Sequence, residues 1–380
     1  MTYDAIVAGA GPAGAALAGW LGREGLEVLL LDRARFPRRK PCGEGVLPAG
    51  ARALAEMRLL PGLERRGRAL RGLALRADEL EASADFPVPG IGLPRELLDS
   101  ELLSWALAGG RVRFEEGVCV DEPILREGVV RGAAGRSPNG SRVSWESTLL
   151  VCAQGIHSPL RERLGARFVR PARRRMALVG RLEGVAGAGD RVEVFFGDGV
   201  EAYLTPVGEQ VNAALLMDGC VADAERGERL LSVLRSFPAL AGRLERARLA
   251  SPALEWGPLG GHAPRAYGKG FVLAGDSALA LDPIGGEGIS LALSTAREGA
   301  RLLARRELAA YDAARRRAAA TPRALARILL ALGRRRWLRR RALRALGRRP
   351  ELFARLVGAA AGIAELSAGG LAEALRLAAG

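Results

Sequence analysis

The sequence predicts an α/β architecture, α+β when the whole chain is considered: a parallel-sheet domain opened by a β-α-β unit, a second β-rich layer and C-terminal helices. Three observations lead there. Residues 5–33 read as strand, glycine turn, helix, strand and acid. Segments 151–165 and 271–293 each run again from an apolar strand through a glycine turn into a helix. Residues 171–256 change to strand-like patterning, with RVEVFFG, EAYLTPVG and QVNAALLM as its clearest strands.

The opening unit is a Rossmann-type dinucleotide motif. Ala5–Ala8 is a short apolar strand, Gly9, Gly11 and Gly14 form G-x-G-x-x-G, and Pro12 and Ala13 lead into a small-residue helix ending near Arg23. Gly9 suits the tight turn, Gly11 lets a pyrophosphate approach the backbone, and Gly14 lets helix and sheet pack closely. The helix start offers unpaired N–H groups and a partial positive charge. Val28–Leu31 is the second strand. Asp32 follows Gly9 by 23 positions, placed to accept from an adenosine ribose, with Arg33 beside it.

Residues 34–50 are punctuated by glycine and proline and read as a loop that packs on something. Residues 51–60 look helical, 70–77 and 80–86 pair as strands, and Pro87–Pro94 reads as a linker before a helix starting near Arg95. That helix turns Leu97, Leu98, Leu102 and Trp105 mostly to one face. Residues 111–120 read as strand and turn, and Ser137-Pro138-Asn139-Gly140 as a hairpin tip. The last seventy residues read as helices, with arginine dense between 315 and 349 around Leu325, Leu329, Leu332 and Trp337.

At 380 residues the chain has room for two or three domains. The expected division is 1–70, 95–170 and 262–310 for cofactor binding, 71–94 and 171–261 for substrate, and 311–380 for the helical region. The net charge of +15 is almost all arginine, Lys40 and Lys269 being the sole lysines, and no nucleic-acid recognition pattern accompanies it. Nucleic acid is not an expected partner. No run approaches about 18 apolar residues, and the apolar N-terminus is accounted for as a strand, so a cytoplasmic protein is expected. Cys42, Cys119, Cys152 and Cys220 lie far apart with no C-x-x-C, which argues against a disulfide framework and a metal site.

Together, the opening motif, VCAQGIHSPLRERLG (151–165) and FVLAGDSALALDPIGGEGISLAL (271–293) resemble the three fingerprints of the FAD-dependent superfamily that includes para-hydroxybenzoate hydroxylase and the geranylgeranyl reductases. The resemblance covers roughly residues 1–310 and implies a Rossmann-type FAD-binding domain joined to a β-sheet substrate domain. It implies that Gly275 and Asp276 form the pair whose carboxylate accepts from the ribityl hydroxyls. Pro283, Gly285, Gly286, Gly288 and Ile289 match the turn and helix start that approach the flavin ring, where backbone N–H groups favour negative charge. Arg95 matches an arginine reaching the phosphate or ribityl region, Val120 the backbone beside adenine, and Gln154-Gly155 the middle fingerprint. Lys40-Pro41-Cys42-Gly43-Glu44-Gly45 resembles the K-P-C-G segment of the geranylgeranyl reductases, which lies over the flavin.

The implied activity is that of a flavoenzyme acting on a hydrophobic small molecule, with NADPH or NADH as electron donor. Hydride delivery to an activated double bond is the first reading, and hydroxylation of an aromatic or polyketide-like substrate the alternative. Cys42, Glu44 and Tyr203 are the candidate catalytic groups: a thiol wall or functional thiol, a proton donor, and the surviving aromatic of the substrate strand. Two departures stand out. Gln154 replaces the family's aspartate, and Glu201-Ala202-Tyr203-Leu204-Thr205-Pro206 keeps little of the Y-x-W-x-F-P strand. Readings of another class are a non-catalytic flavoprotein, or a peripheral membrane module in the basic C-terminal helices, set against a helical cap whose leucines pack on the body. His157 reads as part of its turn, and His262 has no assigned role.

Overall fold

The structure, a computed structural model, describes residues 2–220 and 223–364. Five parallel strands form the body of its first sheet, in the order Phe271–Leu273, Arg142–Cys152, Thr2–Ala8, Val28–Asp32 and Val112–Glu116, with Tyr267–Gly268 antiparallel at one edge. An antiparallel pair, Cys119–Arg126 and Val129–Arg136, continues from Arg142–Cys152 and covers one face. The other face carries helices Pro12–Arg23, Arg95–Leu107 and Gly288–Ala304. Val28–Asp32 is buried throughout, as a parallel strand covered on both faces must be.

The second sheet is largely antiparallel. Arg68–Ala77, Leu80–Gly92, Arg175–Glu183, Arg191–Phe196, Val200–Val207 and Gln210–Asp218 are its main strands, and Gly45–Val46 adds one edge. One face packs on Arg226–Arg235 through Leu230 and Leu234. The other packs on helices Ala320–Arg334, Arg336–Arg348 and Pro350–Ala360 through Ala326, Leu343, Phe353 and Val357. The C-terminal leucines therefore work as a cap: Leu325 and Leu332 are buried and Leu329 packs against the sheet, while Trp337 is 60% exposed. Residues 365–380 of the expected helical region lie outside the described residues.

The expected linker at Pro87–Pro94 is instead mostly strand, since Leu80–Gly92 runs unbroken. Its partner registers jump between Leu70–Gly90 and Gly72–Asp85, leaving residues 86–89 out of the ladder. Pro87 and Pro89 fall in this gap, where a missing N–H breaks no bond. The expected helix at 51–60 is two shorter ones, Pro48–Glu56 and Leu60–Glu64, each with proline near its start.

Leu30 is fully buried between the sheet and its helices. Leu30→Ala is expected to destabilise the protein by about 2–5 kcal/mol, read as a lowered urea midpoint at unchanged slope.

Candidate flavin site

The C-terminal ends of the parallel strands meet in one place, where ligands settle in open α/β sheets. Leu31 accepts from Gly9 N at 2.7 Å, Ala8 from Ala153 N at 2.8 Å, and Cys152 from Ala274 N at 2.9 Å, so each fingerprint is bonded to the next. Gly9 has φ +107, and a Cβ there would strike the Ala153 carbonyl. A Cβ on Gly14 would run into the carbonyl of Gly9, so the turn closes only because position 14 has no side chain. Ser277 Oγ donates to the Gly155 carbonyl at 3.0 Å, tying the third fingerprint to the second.

Asp32 is already engaged. Oδ2 accepts from Ala10 N at 2.7 Å and Oδ1 from Ala34 N at 2.8 Å, holding the turn shut and leaving lone pairs for a ribose. Arg33 is exposed beside it. Gln154 bridges: Nε2 donates to the Val120 carbonyl at 2.6 Å, and Oε1 accepts from Ser158 Oγ at 2.7 Å. An aspartate could not make the first bond, so the departure at this position has a physical use. His157 Nε2 lies 2.9 Å from the Gly257 carbonyl and its ring stands edge-on to Trp256, in keeping with a turn residue.

The charges here are arranged to receive an anion. Buried Arg95 forks onto Asp99, Nε to Oδ1 at 3.0 Å and Nη2 to Oδ2 at 2.8 Å, and Arg38 Nη1 reaches the same carboxylate at 3.1 Å. Burial alone would lower the Arg95 pKa, but Asp99 and Cys42 outweigh it and hold it raised. A guanidinium nitrogen of Arg38 lies 3.6 Å from where a Gly11 Cβ would stand, beside the pyrophosphate turn. Lys40 is pulled down by burial and by Arg95 and Arg38, with Asp276 and Asp99 opposing. Asp276 opens to solvent inside a concave wall of protein, whose desolvation pushes its carboxyl up while Lys40 and Arg95 draw it down. Arg38, Arg95 and Lys40 against Asp99 and Asp276 leave one net positive charge, which fits a dinucleotide phosphate.

The turn Pro283–Ile289 is gripped by the second sheet. Asp282 accepts from Ile284 N at 3.1 Å and pairs with Arg175 at 2.7 Å, and Arg175 also pairs with Glu201. Burial raises the Glu201 carboxyl to about 7 despite Arg175. Tyr203 donates its phenol to the Ile284 carbonyl at 3.1 Å. Gly286 and Gly288 are exposed at the turn, with Pro283, Gly285 and Ile289 half-buried.

Two candidate catalytic groups take on structural work. Glu44 is 3% exposed and its oxygens are taken by Arg181 Nε at 2.8 Å and Nη2 at 2.6 Å, Asn212 Nδ2 at 3.0 Å and Arg95 N at 2.9 Å. So engaged, it is a poor proton donor. Tyr203 spends its proton on Ile284, and its burial among Glu201 and Asp282 pushes its pKa far up. Cys42 is half-buried, accepts from Glu44 N at 3.3 Å and stands by the Arg95 guanidinium, next to the site. Sequence reasoning missed Arg38 and Glu287. The cationic run Arg38-Arg39-Lys40 was a signal for the first; nothing in the sequence marked Glu287 as buried.

Glu44→Gln is expected to cost stability near the low end of about 3–5 kcal/mol, since Arg181 keeps some solvent contact. Urea unfolding measures the loss. FAD fluorescence titration should show weaker binding, because the 38–47 loop depends on this carboxylate.

Residues 2–189 match a family model described as FAD binding domain. The chain is 32% identical over 331 residues to a menaquinone reductase of Mycobacterium tuberculosis, covering 80% of this chain and 78% of that one. It is 30% identical over 309 residues to the 6-methylpretetramide 4-monooxygenase of Streptomyces rimosus, covering 77% and 73%. A solved geranylgeranyl bacteriochlorophyll reductase-like protein of Thermoplasma acidophilum shares the fold, with TM-score 0.73, 19% identity and coverage of 99% and 96%. Fingerprints joined at one point, a cation-lined phosphate turn and these relatives agree: the chain belongs to the FAD-dependent oxidoreductases of the para-hydroxybenzoate hydroxylase and geranylgeranyl reductase superfamily.

Proposed function

We propose that this enzyme uses reduced FAD to deliver hydride to an activated double bond of a hydrophobic small molecule, in the manner of the geranylgeranyl reductases, with NADPH or NADH as electron donor. The observation that carries the reading is the position of the Lys40–Glu44 loop. Glu44 bonds it to Arg181 and Asn212 of the second sheet, and Leu47 N donates to Ser290 Oγ at 2.8 Å, behind the flavin-facing turn. The segment that most resembles the reductase branch thus joins the two sheets, which supports a place for it between cofactor and substrate. The sheet face beside this junction is apolar and lies under the C-terminal helices, with Leu70, Val179, Tyr203, Ala214 and Leu216 in one buried cluster with Leu47 and Ile284.

FAD, when bound, supplies the two-electron chemistry. Arg38, Arg95 and Lys40 neutralise its phosphates and Asp276 accepts from its hydroxyls. The backbone N–H groups at the start of helix Gly288–Ala304 favour negative charge on the ring. Tyr203 and Asp282 fix the turn, and the apolar sheet face keeps water from the reacting atoms.

The similarity to a monooxygenase keeps hydroxylation as a second reading. A single turnover separates the two. Photoreduced holoenzyme mixed under strict anaerobiosis with a geranylgeranyl compound is expected to yield saturated product by mass spectrometry; product that forms only after oxygen is admitted selects the monooxygenase.

Among the described residues no helix is long and apolar enough to cross a membrane. We read the C-terminal helices as a peripheral contact of a cytoplasmic enzyme with an anionic membrane rather than with nucleic acid. On Arg336–Arg348 the exposed residues Trp337, Arg341, Arg344 and Arg348 recur at helical spacing and form one stripe. A tryptophan among arginines suits the surface of a bilayer holding a lipid-soluble substrate. Sedimentation with phosphatidylglycerol vesicles at low salt is expected to carry the protein down, and Trp337→Ala or high salt to release it. Equal recovery in the supernatant with and without vesicles would remove the membrane from this reading.

A further inference from the structure

Within the turn Pro283–Ile289, Glu287 is the sole titratable side chain. It is 5% exposed, and neither carboxyl oxygen has a hydrogen-bond partner. The side chain folds back over its own turn: Oε2 lies 3.3 Å from where a Cβ on Gly285 would stand. Charged and titratable groups surround the turn. Tyr203 and Asp282 bond to the turn, Arg175 pairs with Asp282 and Glu201, and Arg52 and Glu56 lie on helix Pro48–Glu56, which packs on helix Gly288–Ala304. Arg323 and Arg327 lie on helix Ala320–Arg334. None of them bonds to Glu287, and burial alone pushes its carboxyl up to about 8. At a helix start the backbone favours a carboxylate. Desolvation without a counter-ion opposes that preference and favours the neutral acid, whose O–H would have no partner among the described residues.

We propose that Glu287 is the proton reservoir of the flavin site, giving up its carboxyl proton as electrons leave the site and recovering one when they return. The proposal rests on the reductase reading above. Reduction of an activated double bond consumes two electrons and two protons. Hydride carries both electrons and one proton; the second proton is drawn from the flavin site, where the O–H bond of Glu287 breaks to supply it. The carboxylate so formed has no cation beside it and regains a proton from solvent when the nicotinamide donor restores the electrons. An acid balanced near neutral pH is suited to both steps.

The test needs no identified substrate. In FAD-loaded protein the midpoint potential is followed from about pH 6 to 10, which brackets the carboxyl. Above about pH 8 the parent is expected to take up one more proton per two electrons than Glu287→Gln, a slope steeper by about 30 mV per pH unit; Glu287→Asp should keep the extra slope, with its onset moved. Equal slopes in parent and Gln variant overturn the proposal. The apoprotein gives a second readout. A folded-state pKa raised from 4.5 to about 8 means that stability present below the ordinary glutamate range is lost as pH climbs through that interval. Glu287→Gln should therefore gain melting temperature relative to the parent toward alkaline pH, and a difference that stays constant with pH also overturns the assignment. Failure of the parent to bind FAD would instead strike at the flavin reading itself.

Discussion

The site depends on one buried carboxylate that serves three segments at once. Glu44 accepts from the backbone at the start of helix Arg95–Leu107, from the Arg181 guanidinium and from the Asn212 amide, so a loop leaving the parallel sheet is fastened to the second sheet. It adopts φ +60, a conformation uncommon for a residue with a side chain and one that persists only where surroundings over-determine it. Four bonds to its carboxylate oxygens and the one that Leu93 N donates to its carbonyl at 2.9 Å supply that determination. The stretch 44–47, which also bonds to Leu93 and Ser290, takes its position from this arrangement.

Charge is distributed along the site by burial as much as by sequence. Two guanidiniums share Asp99, which lets cations stand close together beside the glycine turn without mutual expulsion. On the far side, Arg175 lies between Glu201 and Asp282 and braces the turn Pro283–Ile289. Only at Glu287 does a charged residue type lie buried on that turn with no compensation at all.

Much of this was legible in the chain. The glycine fingerprints are short-range patterns, and the order strand, turn, helix is fixed by local sterics; hence Gly9, Gly14, Gly155 and Gly275 stand where their spacing placed them. The alternation in 70–77, 191–196 and 200–207 likewise announced the second sheet. What stayed hidden was non-local. Glu44 looked like a proton donor because its partner Arg181 is 137 positions away. Tyr203 looked reactive because the carbonyl it bonds is 81 positions away. Pro87 and Pro89 looked like a linker because the gap in the ladder that tolerates them is a property of two strands together.

The amide of Gln154 has a further implication for how the molecule responds to its surroundings. Between the Val120 carbonyl and Ser158, it secures the middle fingerprint with neutral groups alone, where an acid would have introduced a second ionisation. The tie between the Val120 strand and the Ser158 turn is thereby carried by groups that do not ionise, and it holds unchanged across the pH range in which a carboxylate there would have come and gone.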